Sequence, residues 1–493
     1  MNSTDNISFK DDFMRFFSLA HADISDLDMS YDCDGGLIVR VKLNSVPHEC
    51  PVCGTVTSKI KDYSTRHINH ALFSNRRCII EYRARRYICP ECGKSFYERD
   101  PFSYPQSRYS FITVSSVLKE LKSVNATFTS VARQFSLSPS TVISIFDRNI
   151  HIPRKTLPRY LCIDEVYAFH SEASRSQYVC VLLDYDTGRI IDLLPSRYKK
   201  DLVNYFHAIP RSEREKVEAV SIDMWATYND VSRLFFPNAD VQVDRFHVEQ
   251  QFMKELQNVR IREMNAISRR INELETERKV IKNRSRYEDL PIESLYELDE
   301  LRIAYYIFKK FNWLLNKHGD YPPLDSNRKK KFNRRIGRYM NYHDLLWTML
   351  AASDDLIDTY SYYEELHKFY ESCSYDDAPA AVTELIREAR CSTVPELNRF
   401  ANTLTNWKQQ IISSMKRVDF PSRIDTRKIR NKEEIAPRHI SNGIIENRNR
   451  EIKKLKDTSC GYTNWERFRN RVLYCLNDEL PAINLNSENN KKP

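Results

Sequence analysis

The chain has 493 residues, of which 41% are apolar, enough to bury more than one core, and the length points to three or four domains. Lys and Arg number 76 against 67 Asp and Glu, a net charge of +9 that favours a polyanionic partner without requiring one. No run of about 18 uncharged apolar residues occurs and Met1 to Met14 mixes Asp with Lys, so the sequence predicts neither signal peptide nor membrane span, and a cytoplasmic protein whose 12 cysteines are not paired as disulfides.

The alternating run Leu37 to Leu43 reads as a strand leading into a small β-rich module. Cys50-Pro51-Val52-Cys53-Gly54 and Cys89-Pro90-Glu91-Cys92-Gly93 are two CxxC knuckles 35 residues apart, with strand-like Cys78 to Ile88 entering the second. Each tight turn brings two thiolates towards one ion, and two turns complete the tetrahedron of a structural zinc. The intervening strands are expected to form a hairpin. His67 and His70 read as surface-strand residues rather than ligands.

From Phe111 to Ile150 the apolar spacing becomes helical. Val131, Ala132 and Phe135 are expected to face a second helix capped by Ser138, starting near Pro139, whose Val142, Ile143 and Phe146 close the core. The pattern is that of a helix-turn-helix; a plain helical hairpin fits the same periodicity, and the zinc knuckles and basic strands ahead of it favour DNA binding. In the DNA-binding reading Ser140, Thr141, Ser144 and Arg148 face a groove.

Between Tyr160 and Val248 the predicted order is β-β-β-α-β-α-β, with a hairpin turning at Asp186-Thr187-Gly188. This is the order of an RNase H-like α/β core, in which the first strand lies beside the fourth. From Glu249 to Arg430 everything reads as helix, with no strand signal, as expected of an insertion. Arg328 to Arg338 holds seven cations in eleven residues and reads as a DNA contact or as a solvated helix face. Ser441-Asn442-Gly443 then opens a basic helix. The expected organisation is multidomain α+β: a zinc-binding module over 1–105, a helix-turn-helix over 106–155, a core in two parts (156–250 and 431–483) around an all-helical insertion at 251–430, and a disordered tail at 484–493.

Asp164 and Asp223 end the first and fourth core strands in this reading and should approach one another. Carboxylates that close repel unless a divalent cation neutralises them. Phosphoryl transfer uses such a site, with two Mg²⁺ roughly 4 Å apart. Asp184, Asp186 and Asp192 read as solvated turn residues.

The paired CPxCG knuckles, Arg86 to Phe96, Ile163-Asp164-Glu165-Val166, Ser221-Ile222-Asp223-Met224-Trp225 with Tyr228, Phe236-Pro237-Asn238-Ala239, Val243-Asp244-Arg245-Phe246-His247-Val248 and Ser441-Asn442-Gly443 to Gly461-Tyr462-Thr463-Asn464 resemble, in this order, the bacterial insertion-sequence transposases of the ISL3 type. The resemblance spans most of the chain. It implies a zinc-binding N-terminus, a helix-turn-helix and a DDE core, with Asp164, Asp223 and Glu446 as the triad holding Mg²⁺ or Mn²⁺. One departure is Asn447, where the family commonly has Gly after the Glu. Asp244 is the rival third acid. Arg245, His247, Asn449, Lys453 and Lys454 are implied to position or grip DNA, and Lys456 reads as a further backbone contact. The implied partners are terminal inverted repeats and target DNA, with a homodimer or larger assembly on them. The alternatives are a non-catalytic DNA-binding regulator, a decayed copy, or an RNase H-like nuclease without strand transfer.

Overall fold

A computed structural model describes residues 11, 13–15, 17, 20, 23–73, 76–104, 107–171, 176–424 and 436–477. The tail expected at 484–493 lies outside the described residues. The chain divides into two compact units, one of residues up to 154, 167–177 and 448 onward, the other of 155–166 and 178–447.

In the first unit β1 (Ile24–Tyr31), β2 (Leu37–Leu43), β3 (Ile60–Phe73), β4 (Arg76–Ile88) and β5 (Ser95–Tyr97) form a sheet in the order β1-β2-β4-β3, with β5 also on β4. Strands β3 and β4 are the expected hairpin, antiparallel from Ile60 opposite Tyr87 to Phe73 opposite Arg76. The period-2 pattern buries Leu37, Val39 and Val41 of β2 with Ile68, Ile80, Tyr82 and Phe102. Helices α1 (Phe111–Glu120), α2 (Phe128–Gln134) and α3 (Pro139–Asn149) follow, each N-capped by a hydroxyl: Ser110, Thr127 in a capping box, and Ser138 ahead of Pro139. Their core takes Val142, Ile145 and Phe146 from α3; Ile145, not the expected Ile143, faces inward.

The C-terminal helix Trp465–Leu476, assigned from sequence to the core, is held within this first unit. Tyr474 packs in the core of α1 to α3 and donates its hydroxyl to Leu118 O at 2.8 Å. Arg471 is fully buried and donates to Ser123 O (3.0 Å) and Ala126 O (2.7 Å), while Arg467 pairs with Asp147 at 2.6 Å.

The second unit takes β6 (Tyr160–Ser171) as far as Val166 and β7 (Ser176–Asp184) from Tyr178, and with β8 (Ile190–Leu194), α4 (Lys199–His207), β9 (Ala219–Ile222), α5 (Ala226–Phe235) and β10 (Asp240–Val243) these come in the expected order. The sheet runs β8-β7-β6-β9-β10; β9 is parallel to both β6 and β10, and β7 is antiparallel to β8. Leu161, Ile163, Ile222, Leu202, Phe206, Tyr228 and Val231 share its core with α4 and α5. Two expectations need correction. Asp164 stands inside β6 rather than at its end, because Val166, Ala168 and Phe169 continue the buried strand. Asp192 is no solvated turn residue: it is buried in β8 and accepts the Tyr205 hydroxyl at 2.8 Å.

The helical region starts with α6 (Arg245–Arg284), 40 residues and so about 60 Å long. Next come α7 (Ile292–Lys310), α8 (Tyr342–Leu350), α9 (Asp354–Ser372), α10 (Ala378–Cys391), α11 (Pro395–Asn406) and α12 (Lys408–Ser414), around Phe252, Leu256, Ile307, Phe308, Tyr363 and Phe400. This region is not all helical. The basic run turns as a hairpin, Lys331–Asn333 against Arg338–Met340, with Gly337 at φ +73° supplying the left-handed residue of the turn. Arg417–Val418 pairs with Arg438–His439 in a second short ribbon. Helix α13 (Gly443–Thr458) follows, belonging to this unit as far as Asn447.

Candidate active site and zinc module

Strand register brings the acids together. Ile163 pairs with Ile222 and Ile222 with Val243, so the next residues, Asp164, Asp223 and Asp244, form a row across three adjacent parallel strands spaced about 4.8 Å apart. Carboxylate oxygens of Asp164, Glu165 and Asp223 lie within 4.8 Å of one another. Asp164 Oδ1 accepts the Glu165 amide at 2.7 Å and Asp223 Oδ1 the Trp225 amide at 3.1 Å. Glu165 is bound by Arg197 at 2.6 Å, whose guanidinium sits 4.2 Å from the Tyr178 ring and 4.3 Å from the Trp225 ring.

Burial, reinforced by the charges of Asp223, Glu165 and Glu446, pushes the Asp164 carboxyl up to about 8. Burial and then Glu165 push Asp223 up to about 7, against the opposing pull of the Trp225 amide and Arg197. Acids so disposed are poorly stabilised as anions by the protein alone, and their oxygens offer the hard donors that Mg²⁺ or Mn²⁺ takes.

Glu446 arrives from the far end of the sequence on α13, whose start is docked at the ends of β9 and β10. Asn442 is fully buried; its Oδ1 accepts the Ser221 hydroxyl at 2.7 Å, its amide donates to Asp244 Oδ1 at 3.4 Å, and its carbonyl accepts the Glu446 amide at 3.0 Å. Gly188, at φ +71°, leaves room for this helix, since a Cβ there would lie 2.7 Å from Ile444 Cδ1. Glu446 contributes charge that raises both Asp164 and Asp244, the latter lifted first by its own burial. Its carboxylate oxygen groups with Asp244 and His247, all within 4.8 Å, rather than with Glu165 and Asp223. The rival third acid and the preferred one therefore share one cluster. A cavity of about 360 Å³ opens on it, lined by Asp244, Glu446, Ser441 and His439 among others.

The zinc module repeats one turn twice. Gly54 N donates to Cys50 O and Cys50 N to Thr55 O, as Gly93 N does to Cys89 O and Cys89 N to Lys94 O. Gly54 and Gly93 have φ of +72° and +70°, which is why Gly follows each CPxC. The Sγ atoms of Cys50 and Cys92 stand 3.5 Å apart, Cys53 and Cys89 3.5 Å, and Cys53 and Cys92 3.6 Å. A zinc tetrahedron with bonds near 2.3 Å has edges of about 3.8 Å, so the four thiols fit that ion with little movement. Hydrogen bonding to Thr55 lowers the Cys53 thiol to about 6, towards the ligating thiolate.

A family model described as "Transposase", that of the ISL3 type, matches residues 161–419 and 427–472. The chain belongs to this family of insertion-sequence transposases. A second model, described as "zinc-finger of transposase IS204/IS1001/IS1096/IS1165", matches residues 47–92 and so contains all four cysteines of a structural zinc site. The chain is also 22% identical over 427 residues, 85% of its own length and 86% of the relative's, to the "Transposase for insertion sequence element IS1001" of Bordetella parapertussis.

The other predicted positions of this ISL3-family chain are spread more widely. On α3, Ser140 and Arg148 are exposed, whereas Thr141 and Ser144 are half-buried and Thr141 is engaged by Ser138 (2.9 Å) and Tyr109 (3.3 Å). Arg245 is occupied by Glu249 (2.7 Å) and Glu371 (2.6 Å). Lys453 and Lys454 are exposed and Asn449 is buried. His67 and His70 stand apart from the cysteine cluster; His70 Nδ1 is 3.0 Å from the Ser110 hydroxyl. Sequence reasoning did not single out Glu165 or Arg197. The adjacent acid pair Asp164-Glu165 was the signal for the first; Arg197 carried none, because its partners come from three separate segments. Among the described residues, no helix is long and apolar enough to cross a membrane.

Proposed function

We propose that the chain is a DDE transposase with an RNase H-like core: it binds the terminal inverted repeats of its element, hydrolyses a phosphodiester there, and uses the freed 3′-hydroxyl to attack target DNA. The observation that supports this best is the register of β6, β9 and β10, which aligns buried Asp164 with Asp223 while α13 brings Glu446 into electrostatic reach of Asp164. Asp164, Asp223 and Glu446 are the acids that hold Mg²⁺ or Mn²⁺. When bound, such ions neutralise charge on the phosphate and activate the attacking oxygen. Arg197, fixed by Glu165 and two aromatic rings, keeps one cation beside this anionic site. Exposed Ser140 and Arg148 of α3, as the second helix of a helix-turn-helix, face DNA with Thr141 and Ser144 beside them. Lys453 and Lys454 contact its backbone, and two chains bring two element ends together.

The test is incubation of the full-length protein with Mg²⁺ and end-labelled duplex carrying the repeat that flanks its gene. Nicking at the repeat terminus followed by joining to a second duplex is expected. Asp164→Asn, Asp223→Asn and Glu446→Gln should each slow cleavage at least about 10³-fold while binding persists. Binding without any cleavage by the folded wild-type protein would refute the catalytic proposal.

A further inference from the structure

We propose that Asp244, His247 and Glu446 form a divalent-cation site of their own, separable from the Asp164–Asp223 pair and favouring ions that accept an imidazole nitrogen, Mn²⁺ before Mg²⁺ or Ca²⁺. It rests on the function proposed above only in sharing Glu446. One ligand atom from each residue lies within 4.8 Å of the others. An octahedron with bonds of about 2.2 Å has ligand separations of about 3 to 4.4 Å, so small side-chain movements close the set.

Three further observations point to a ligand here. Asp244 is the N-cap of a 40-residue helix, where an aspartate ordinarily accepts a backbone N–H of the first turn, yet it makes no such bond. Its Oδ1 accepts instead the long 3.4 Å contact from the Asn442 amide, on the side of Glu446. His247, three residues on in the same turn, has its Nε2 sealed from solvent with no hydrogen-bond partner. One ring nitrogen of His247 lies within 4.8 Å of both carboxylates, and a ring whose buried Nε2 makes no hydrogen bond has a donor position left for a metal. The third observation is access: the cavity of about 360 Å³ reaches both Asp244 and Glu446.

The donor set, two carboxylates and one imidazole, is what gives the site its preference. Mg²⁺ and Ca²⁺ take oxygen almost exclusively, whereas Mn²⁺ and the later divalent metals accept imidazole as well. The backbone of β10 and the first turn of α6 fix two ligands, and the Ser221–Asn442 bond positions the helix that carries the third. Filling the site ties α13 to the end of β10 before DNA is present, and so orients the glutamate that the catalytic reading needs.

The full-length, zinc-loaded, DNA-free protein is titrated with Mn²⁺, free ion being followed by electron paramagnetic resonance and the bound ion by nitrogen-14 modulation in pulsed spectra. About two equivalents are expected, one of them nitrogen-coupled. His247→Gln and Asp244→Asn should each remove the coupled equivalent with the melting temperature of the magnesium-free protein kept. Asp223→Asn should remove the other and leave the nitrogen coupling intact. Absence of nitrogen coupling in the wild type, or its survival in His247→Gln, overturns the proposal. Retention of both equivalents in Asp223→Asn instead counts against the catalytic pair, so the two failures are told apart.

Discussion

Asp164 and Asp223 are carboxylic acids whose surroundings oppose their ionisation, and this has a consequence that needs no DNA to observe. In the metal-free fold they keep protons up to about 8 and about 7, whereas in the unfolded chain they lose them near the ordinary value of 3.8. The folded state therefore binds more protons across this window, and stability falls as pH rises from about 4 to about 8. Melting curves of the zinc-loaded, magnesium-free protein should show that fall, and Asp164→Asn should flatten it; identical slopes would refute the assignment. Mg²⁺ should raise the melting temperature more at pH 8 than at pH 6, because the ion binds the ionised pair. At this scale the sequence was only partly legible. Asp164 and Asp223 stand out because each follows an apolar strand segment. Asp244 and Glu446 looked like competitors for one role, since nothing local says that a strand end and a helix start 200 residues apart meet over Ser221 and Asn442.

Elements that carry metal or docking contacts give a second set of expectations. The two CPxCG turns were legible down to the residue, because a left-handed glycine after two thiols has few other uses. Zinc removal should unfold this module, as zinc binding and folding are one equilibrium in such small sites. A chelator is expected to lower the melting temperature and abolish repeat binding together, with Cys53→Ser reproducing both; unchanged binding after complete zinc loss would contradict it. The C-terminal helix was less legible, because a charged residue gave no sign of being a core residue. Arg471 is fully buried and serves two carbonyls at the turn before α2. Arg471→Ala should destabilise by about 3 kcal/mol, leaving those carbonyls unpaired in the interior, measured by urea unfolding. A loss under about 0.5 kcal/mol would show the carbonyls solvated. The hairpin at 331–340 was missed for the opposite reason: its strands are three residues each and so rich in cations that no apolar alternation marks them.

For the whole molecule, the order of strands and helices through the second unit was readable because parallel-sheet strands are short apolar runs and the helices between them are amphipathic. The region from 249 to 430 was readable as mostly helical from its spacing, but its packing and its two ribbons were not. The positive charge of the chain acquires meaning when its cations are placed. The hairpin presents exposed Arg328, Lys329, Lys330, Lys331, Arg334, Arg335 and Arg338, and α13 exposes Lys453 and Lys454. If these meet phosphates, replacing Lys453 and Lys454 by alanine should weaken repeat binding at low salt and reduce the slope of log affinity against log salt by about 2. An unaltered slope would leave the two lysines as solvated charges.

In the proposed function, acids distant in sequence converge to hold divalent metal against DNA. Diffraction at the manganese absorption edge from crystals of the full-length protein, bound to a terminal-repeat duplex and soaked in Mn²⁺, tests it most directly. An anomalous peak is expected between the Asp164 and Asp223 carboxylates with the terminal phosphate of the repeat beside it. An ordered complex with no manganese there, or with that phosphate bound elsewhere, would contradict it.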